Sequence, residues 1–195
     1  MRNIKVVFLD VDGVLNTEMF RREQCDKHPK GRLYAYEAQY NFDPIVMLNL
    51  QSLVREFDAY IVISSTWRLC DVRDNFESWR HGDFQSTDRD WNQLIRNLEE
   101  WGIRDRVIGC TPSLGMTEES IRRWGHRSQP RGEEIKYWLR KHKDLDIESF
   151  VILDDGVDME ELRDTHLAWC GDIDGFNHKA WEKARQILST PNMII

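Results

Sequence analysis

The chain has 195 residues, 41% apolar and 31% charged, with a formal net charge of −7. That length suits about one domain with its own core, and the proportions are those of a globular rather than a disordered protein. A global polycation is excluded, and no apolar run approaches the ~18 residues of a membrane span.

The N-terminus meets charge at Arg2 and Lys5, too early for a secretory signal. Cys25, Cys70, Cys110 and Cys170 form no CxxC pair, so neither a zinc site nor a disulfide framework is expected. A cytoplasmic location is the simplest expectation. Ile4–Leu9 is an apolar, β-rich run broken only by Lys5 and reads as a buried parallel strand. Residues 17–42 then fit no regular element. Asp43-Pro44 starts a helix, with a capping acid and a proline in the first turn. Val46, Leu50, Leu53, Val54 and Phe57 share its apolar face.

Tyr60–Ile63 is a second strand, and residues 69–90 again fit no element. Trp91, Leu94, Ile95, Leu98 and Trp101 repeat a helical spacing until Gly102 stops it. Residues 107–108, 150–153 and 167–170 are three further strands. Ile135, Trp138 and Leu139 mark a third helix, and Trp181, Ala184, Ile187 and Leu188 a fourth. Strands alternating with helices imply βαβ units and a parallel sheet. The reading is an α/β fold in a single domain over 1–195. The two irregular stretches are expected to cover the carboxyl edge of the sheet as loops or a small cap.

Ligands of such sheets bind beyond the carboxyl ends of the strands. The first strand ends in Asp10-Val11-Asp12-Gly13-Val14-Leu15-Asn16, and the fourth in Asp154-Asp155-Gly156. Carboxylates after buried strands are costly unless something cationic pairs with them. Oxygen-only ligation of this kind suits Mg²⁺, which keeps waters and accepts a substrate phosphate. Gly13 permits a sharp turn that brings backbone N–H groups towards an anion. Ser64-Ser65-Thr66, at the end of the second strand, supply hydroxyls for phosphate oxygens.

These residues resemble the haloacid dehalogenase superfamily, of the phosphatase type. Residues 10–16 look like its motif I, residues 61–66 its motif II, and Leu153-Asp154-Asp155 its motif IV. Ser65-Thr66-Trp67-Arg68 and Arg131-Gly132-Glu133-Glu134-Ile135 resemble the narrower subfamily associated with RNA-repair proteins. The resemblance implies a three-layer Rossmannoid fold with a central parallel sheet and only a small cap. It also implies Asp10 as nucleophile and Asp12 as acid, then base. Mg²⁺ would be held by Asp10, the Asp12 carbonyl, Asp155 and Asp154. Family members that act on carbon–halogen bonds lack an acid at the Asp12 position, so phosphoryl transfer is implied. Ser65 is the implied phosphate-binding hydroxyl, with Ser64 and Thr66 as alternatives. The basic motif III residue is Arg131, with Lys136 as alternative.

Substrate clues are less local. Residues 121–141 carry seven basic side chains against two acidic, and residues 20–32 five against two. Basic loops with nearby aromatics can track a single strand. Trp67, directly after the hydroxyls, is placed to border the site, and Arg68 beside it is expected to contact the substrate or its phosphate. His126 and His178 read as caps or surface groups. The expected partner is a phosphorylated substrate: terminal phosphates of nucleic acids or nucleotides, or else a small metabolite. A binding module that kept the fold without catalysis is the reading from another class.

Overall fold

The structure is a computed structural model that describes residues 3–68, 89–112, 114, 130–171 and 173–193. Its strands are β1 (Ile4–Leu9), β2 (Tyr60–Ile63), β3 (Val107–Cys110), β4 (Ile147–Asp154) and β5 (Leu167–Trp169). They form one parallel sheet in the order β3-β2-β1-β4-β5. All five match expected strands, and β4 starts earlier than its apolar run, at Ile147.

Side chains alternate across the sheet with period two. Val7, Leu9, Ile61, Ile63, Val151 and Leu153 pack on one side. There they meet α3 (Pro44–Glu56), α4 (Arg89–Glu100) and α7 (His178–Leu188). Val6, Phe8, Val62, Phe150 and Ile152 face the other way, against α5 (Arg131–Lys141) and α6 (Leu162–His166). Phe8 meets Trp138 and Phe150 edge-on, at 5.5 and 5.6 Å between ring centroids, the favoured aromatic geometry. The result is a three-layer α/β/α arrangement. Helix α3 begins as expected: the Asp43 carboxylate accepts from the Ile45 N–H (2.9 Å) and Pro44 sits in the first turn. Among the described residues no helix is long and apolar enough to cross a membrane.

Residues 17–42 correct the sequence reading. They contain α1 (Glu18–Lys27), a 3-10 turn over Gly31–Tyr34 and α2 (Ala35–Ala38). Helix α1 buries only Cys25, so it has no apolar stripe to announce it. Its order comes from Thr17, whose hydroxyl caps the Phe20 N–H (3.1 Å), and from Glu18–Arg22 and Glu23–Lys27 pairs one turn apart. Helix α6 was likewise unanticipated. Of the stretch 69–90, residues 69–88 lie outside the described residues, and Arg89 and Asp90 belong to α4.

The sheet winds outward from its centre in both directions, and the reversal falls between β1 and β4. Such a switch point opens a crevice at the carboxyl ends of the two strands. The ladder runs on past the strand ends there. The Asp10 N–H donates to the Leu153 carbonyl (3.0 Å) and the Ser64 N–H to the Leu9 carbonyl (2.7 Å). The first residues after β1 and β2 are therefore fixed by backbone bonds to the neighbouring strands β4 and β1.

Candidate active site

Asp10, Asp154 and Asp155 meet at this crevice. One carboxylate oxygen from each lies within 4.8 Å of the others, and Asp10 and Asp154 are only 6% and 3% exposed. Arg131, at the start of α5, reaches both. Its Nη2 lies 4.0 Å from Asp10 Oδ2 and its Nε 3.7 Å from Asp154 Oδ2, while Nη1 donates to the Ser64 carbonyl. The guanidinium thus ties the ends of β1, β2 and β4 together.

Two glycines make this approach possible. Gly13 has φ +72°, and a Cβ there would lie 2.2 Å from Asp155 Oδ2. Gly132, beside Arg131, passes the Met159 carbonyl so closely that a Cβ would sit 2.7 Å from its oxygen. The Arg131 N–H donates to Asp158 (3.2 Å), which fixes the helix start.

Burial dominates the electrostatics. It raises Asp10 to about 6, against the opposing Arg131 charge and bonds from Ser65 and the Val11 backbone. It raises Asp154 to about 8, with the Asp10 charge adding to the effect and Arg131 opposing it. Burial also works against the Arg131 charge, but Asp10 and Asp154 outweigh it and hold the guanidinium above its ordinary value. One arginine therefore faces two buried carboxylates, Asp10 and Asp154, with the half-buried Asp155 beside them. Asp154 Oδ1 accepts from the Gly156 N–H (2.8 Å), whereas Oδ2 is buried with no hydrogen-bond donor among the described residues. A buried carboxylate oxygen without a donor, beside two more carboxylates, fits a hard cation that takes oxygen ligands.

Asp12 lies apart from this cluster and is exposed. Its carboxylate accepts from Asn16 Nδ2 (2.7 Å) and Trp67 Nε1 (2.9 Å). Trp67 is buried against Tyr40 and Phe42, and Asn16 donates also to the Gln39 carbonyl (3.1 Å). The helical segment after β1 thereby sets the orientation of Asp12. The role of Tyr40 was missed in the sequence because only the fold brings it against Trp67, whereas Asn16 lies four residues from Asp12 and its bond is a local one that the sequence reading passed over.

The three hydroxyls separate. The Ser65 side chain bonds Asp10. Ser64 is buried and accepts from the Thr111 hydroxyl (3.4 Å). Thr66 is exposed in a 3-10 turn over Thr66–Arg68. Arg68 and Lys136 are committed elsewhere. Arg68 is buried in an ion pair with Glu134 and donates to the Ser65 carbonyl. Burial pushes both members towards their neutral forms, against the mutual attraction of the pair. The Lys136 ammonium sits among Glu133, Glu160 and Glu161. Of the two candidates for the basic residue, only Arg131 touches the carboxylate cluster.

The basic runs are less free than their charge suggests. Arg21 and Arg22 pair with Glu18, and Lys27 with Glu23. Arg122, Arg123, His126, Arg127 and Cys70 lie outside the described residues. His178 Nε2 lies 3.5 Å from a Glu182 carboxylate oxygen at the surface.

A three-layer α/β fold with acidic strand ends gathered at its switch point, and an arginine between them, defines a haloacid dehalogenase-like (HAD) domain. More narrowly, the chain belongs to the family described as the HAD domain in Swiss Army Knife RNA repair proteins, which it matches over residues 6–181. Neither curated proteins nor solved structures gave a significant match.

Proposed function

We propose that the chain is a Mg²⁺-dependent phosphatase that forms an aspartyl-phosphate on Asp10, acting on terminal phosphates of nucleic acids or on nucleotides. The observation that supports it most is the Asp10–Asp154–Asp155 cluster with Arg131 against two of its members. Family membership supports the hydrolase class and a nucleic-acid setting.

An Asp10 oxygen attacks phosphorus as the bond to the leaving oxygen breaks. Asp12 gives that oxygen its proton. A water then attacks the phosphoryl group while Asp12 takes the water's proton, which frees phosphate and restores Asp10. Splitting one displacement into two lowers each barrier. Arg131 and the Ser65 hydroxyl hold the non-bridging oxygens, Arg131 through its planar fork. Asp10, Asp154 and Asp155 would hold Mg²⁺, which neutralises charge between phosphate and carboxylates. Trp67 and Asn16 keep Asp12 aimed throughout.

The test is phosphate release from 5′- and 3′-phosphorylated oligonucleotides, nucleoside monophosphates, sugar phosphates and an aryl phosphate. Release is expected with Mg²⁺ and lost in chelator and in Asp10→Asn. Release confined to sugar phosphates would move the substrate to small metabolites. No release from a folded protein with Mg²⁺ would put a binding module first.

A further inference from the structure

A cleft of about 550 Å³ lies between the end of β5, the loop that follows it and α7. Trp169, Ile173, Asp174, Lys179 and Lys183 line it. Trp169 is 51% exposed and Ile173 62%, an open apolar face beside two cations. Lys179 and Lys183 are both exposed and stand one turn apart on α7. Among the described residues the acid in the lining is Asp174, which is already engaged by Asn177 Nδ2 (2.7 Å).

The cleft adjoins the carboxylate cluster. Trp169 stands opposite Asp154 in the β4–β5 ladder. Its indole N–H donates to the Asp155 carbonyl (2.8 Å). That bond anchors the polar edge of the indole and leaves ring surface open. An aromatic face with cations behind it is the combination that takes a base and its phosphodiester without sequence preference.

Building on the phosphatase reading, we propose that this cleft is the subsite for the nucleotide next to the phosphorylated end of a single strand. Its base stacks on Trp169, and the following phosphodiester meets Lys179 and Lys183. A mononucleotide or sugar phosphate fills only the carboxylate crevice. A strand fills both, and the chain accordingly selects oligonucleotides over monomers.

The experiment uses the full chain carrying Asp10→Asn, which holds substrate without turning it over. Fluorescence anisotropy of a labelled single-stranded hexanucleotide, with a 5′- or a 3′-phosphate, gives affinity, and mononucleotide competition gives the selectivity. One phosphorylated hexanucleotide is expected to bind at least about tenfold tighter than the mononucleotide, the size of one base–aromatic stack. Trp169→Ala should remove that advantage and Trp169→Phe should keep it. Lys179→Ala with Lys183→Ala should flatten the slope of log affinity against log salt by about 1.4, for two phosphate contacts on a single strand.

Thermal melts establish that each variant is folded. Equal affinity for hexanucleotide and monomer would overturn the proposal, as would an advantage that survives Trp169→Ala. Loss of self-association in Trp169→Ala with unchanged hexanucleotide binding would also overturn it, because the cleft would then hold a second copy. The parent chain's activity on an aryl phosphate is read separately. If that activity is absent the phosphatase reading fails, whereas the anisotropy result alone decides the subsite.

Discussion

Asp154→Asn is expected to stabilise the metal-free protein while abolishing its response to Mg²⁺. Asp154 is 3% exposed, and among the described residues its Oδ2 has no donor and its nearest cation, Arg131, is shared with Asp10. Burial lifts its pKa from 3.8 to about 8. Taken whole, that shift is a penalty of about 4 kcal/mol at neutral pH. Asp10 bears part of the same repulsion and is relieved when either group is neutral, so a gain of about 1–3 kcal/mol is expected from the amide. An asparagine keeps an acceptor for the Gly156 N–H and has no charge to desolvate. For a chain of this size the gain corresponds to a Tm about 3–9 °C higher in chelator. Mg²⁺ should raise the Tm of the parent protein and leave the variant unmoved.

The pH dependence follows the same sign. Both carboxylates have folded-state values above their unfolded ones, so the pair costs nothing below about pH 4 and costs more as the pH rises through about 6 and about 8. Asp154→Asn should remove the upper part of that loss. A lower Tm for the variant in chelator, or an undiminished Mg²⁺ response, would refute the reasoning.

Three further substitutions probe the neighbours. Asp12→Asn should cut kcat about 10²–10⁴-fold on an alkyl phosphate, which needs a proton on its leaving oxygen, and far less on an activated aryl phosphate; steady-state kinetics on the two substrates would show it. Glu134→Gln leaves Arg68 charged, buried and unpaired, so chemical denaturation should show a loss of about 3–5 kcal/mol, largely recovered when Arg68→Met is added. Lys136→Met should leave activity near the parent level, because its partners are Glu133, Glu160 and Glu161, whereas Arg131→Met should abolish it; equal losses in a phosphate-release assay would contradict the assignment of Arg131.

The sheet and the acidic strand ends were legible because both depend on local rules. A buried parallel strand reads as an unbroken apolar run, and a carboxylate directly after one is a costly, conspicuous placement. Asp43-Pro44 announced α3 for the same kind of reason, a cap followed by a fixed φ. Helix α1 was not legible: its support is a threonine cap and surface ion pairs, and its burial amounts to Cys25. The choice between Arg131 and Lys136 was open because five residues of helix separate them on different faces, and only the fold shows which face meets β1 and β4. Arg68 read as a substrate contact because Glu134, its partner 66 residues away, is invisible to any pattern along the chain. The hold on Asp12 by Trp67 was hidden in the same way, 55 residues apart.

The covalent step on Asp10 is tested most directly by trapping it. The chain is mixed briefly with an activated aryl phosphate and Mg²⁺, quenched in acid and mapped by peptide mass. A phosphoryl group is expected on the peptide that carries Asp10. It should build up further in Asp12→Asn, which lacks the base for hydrolysis, and be missing in Asp10→Asn. Full turnover in Asp10→Asn, or a phosphoryl group on another residue, would contradict the account.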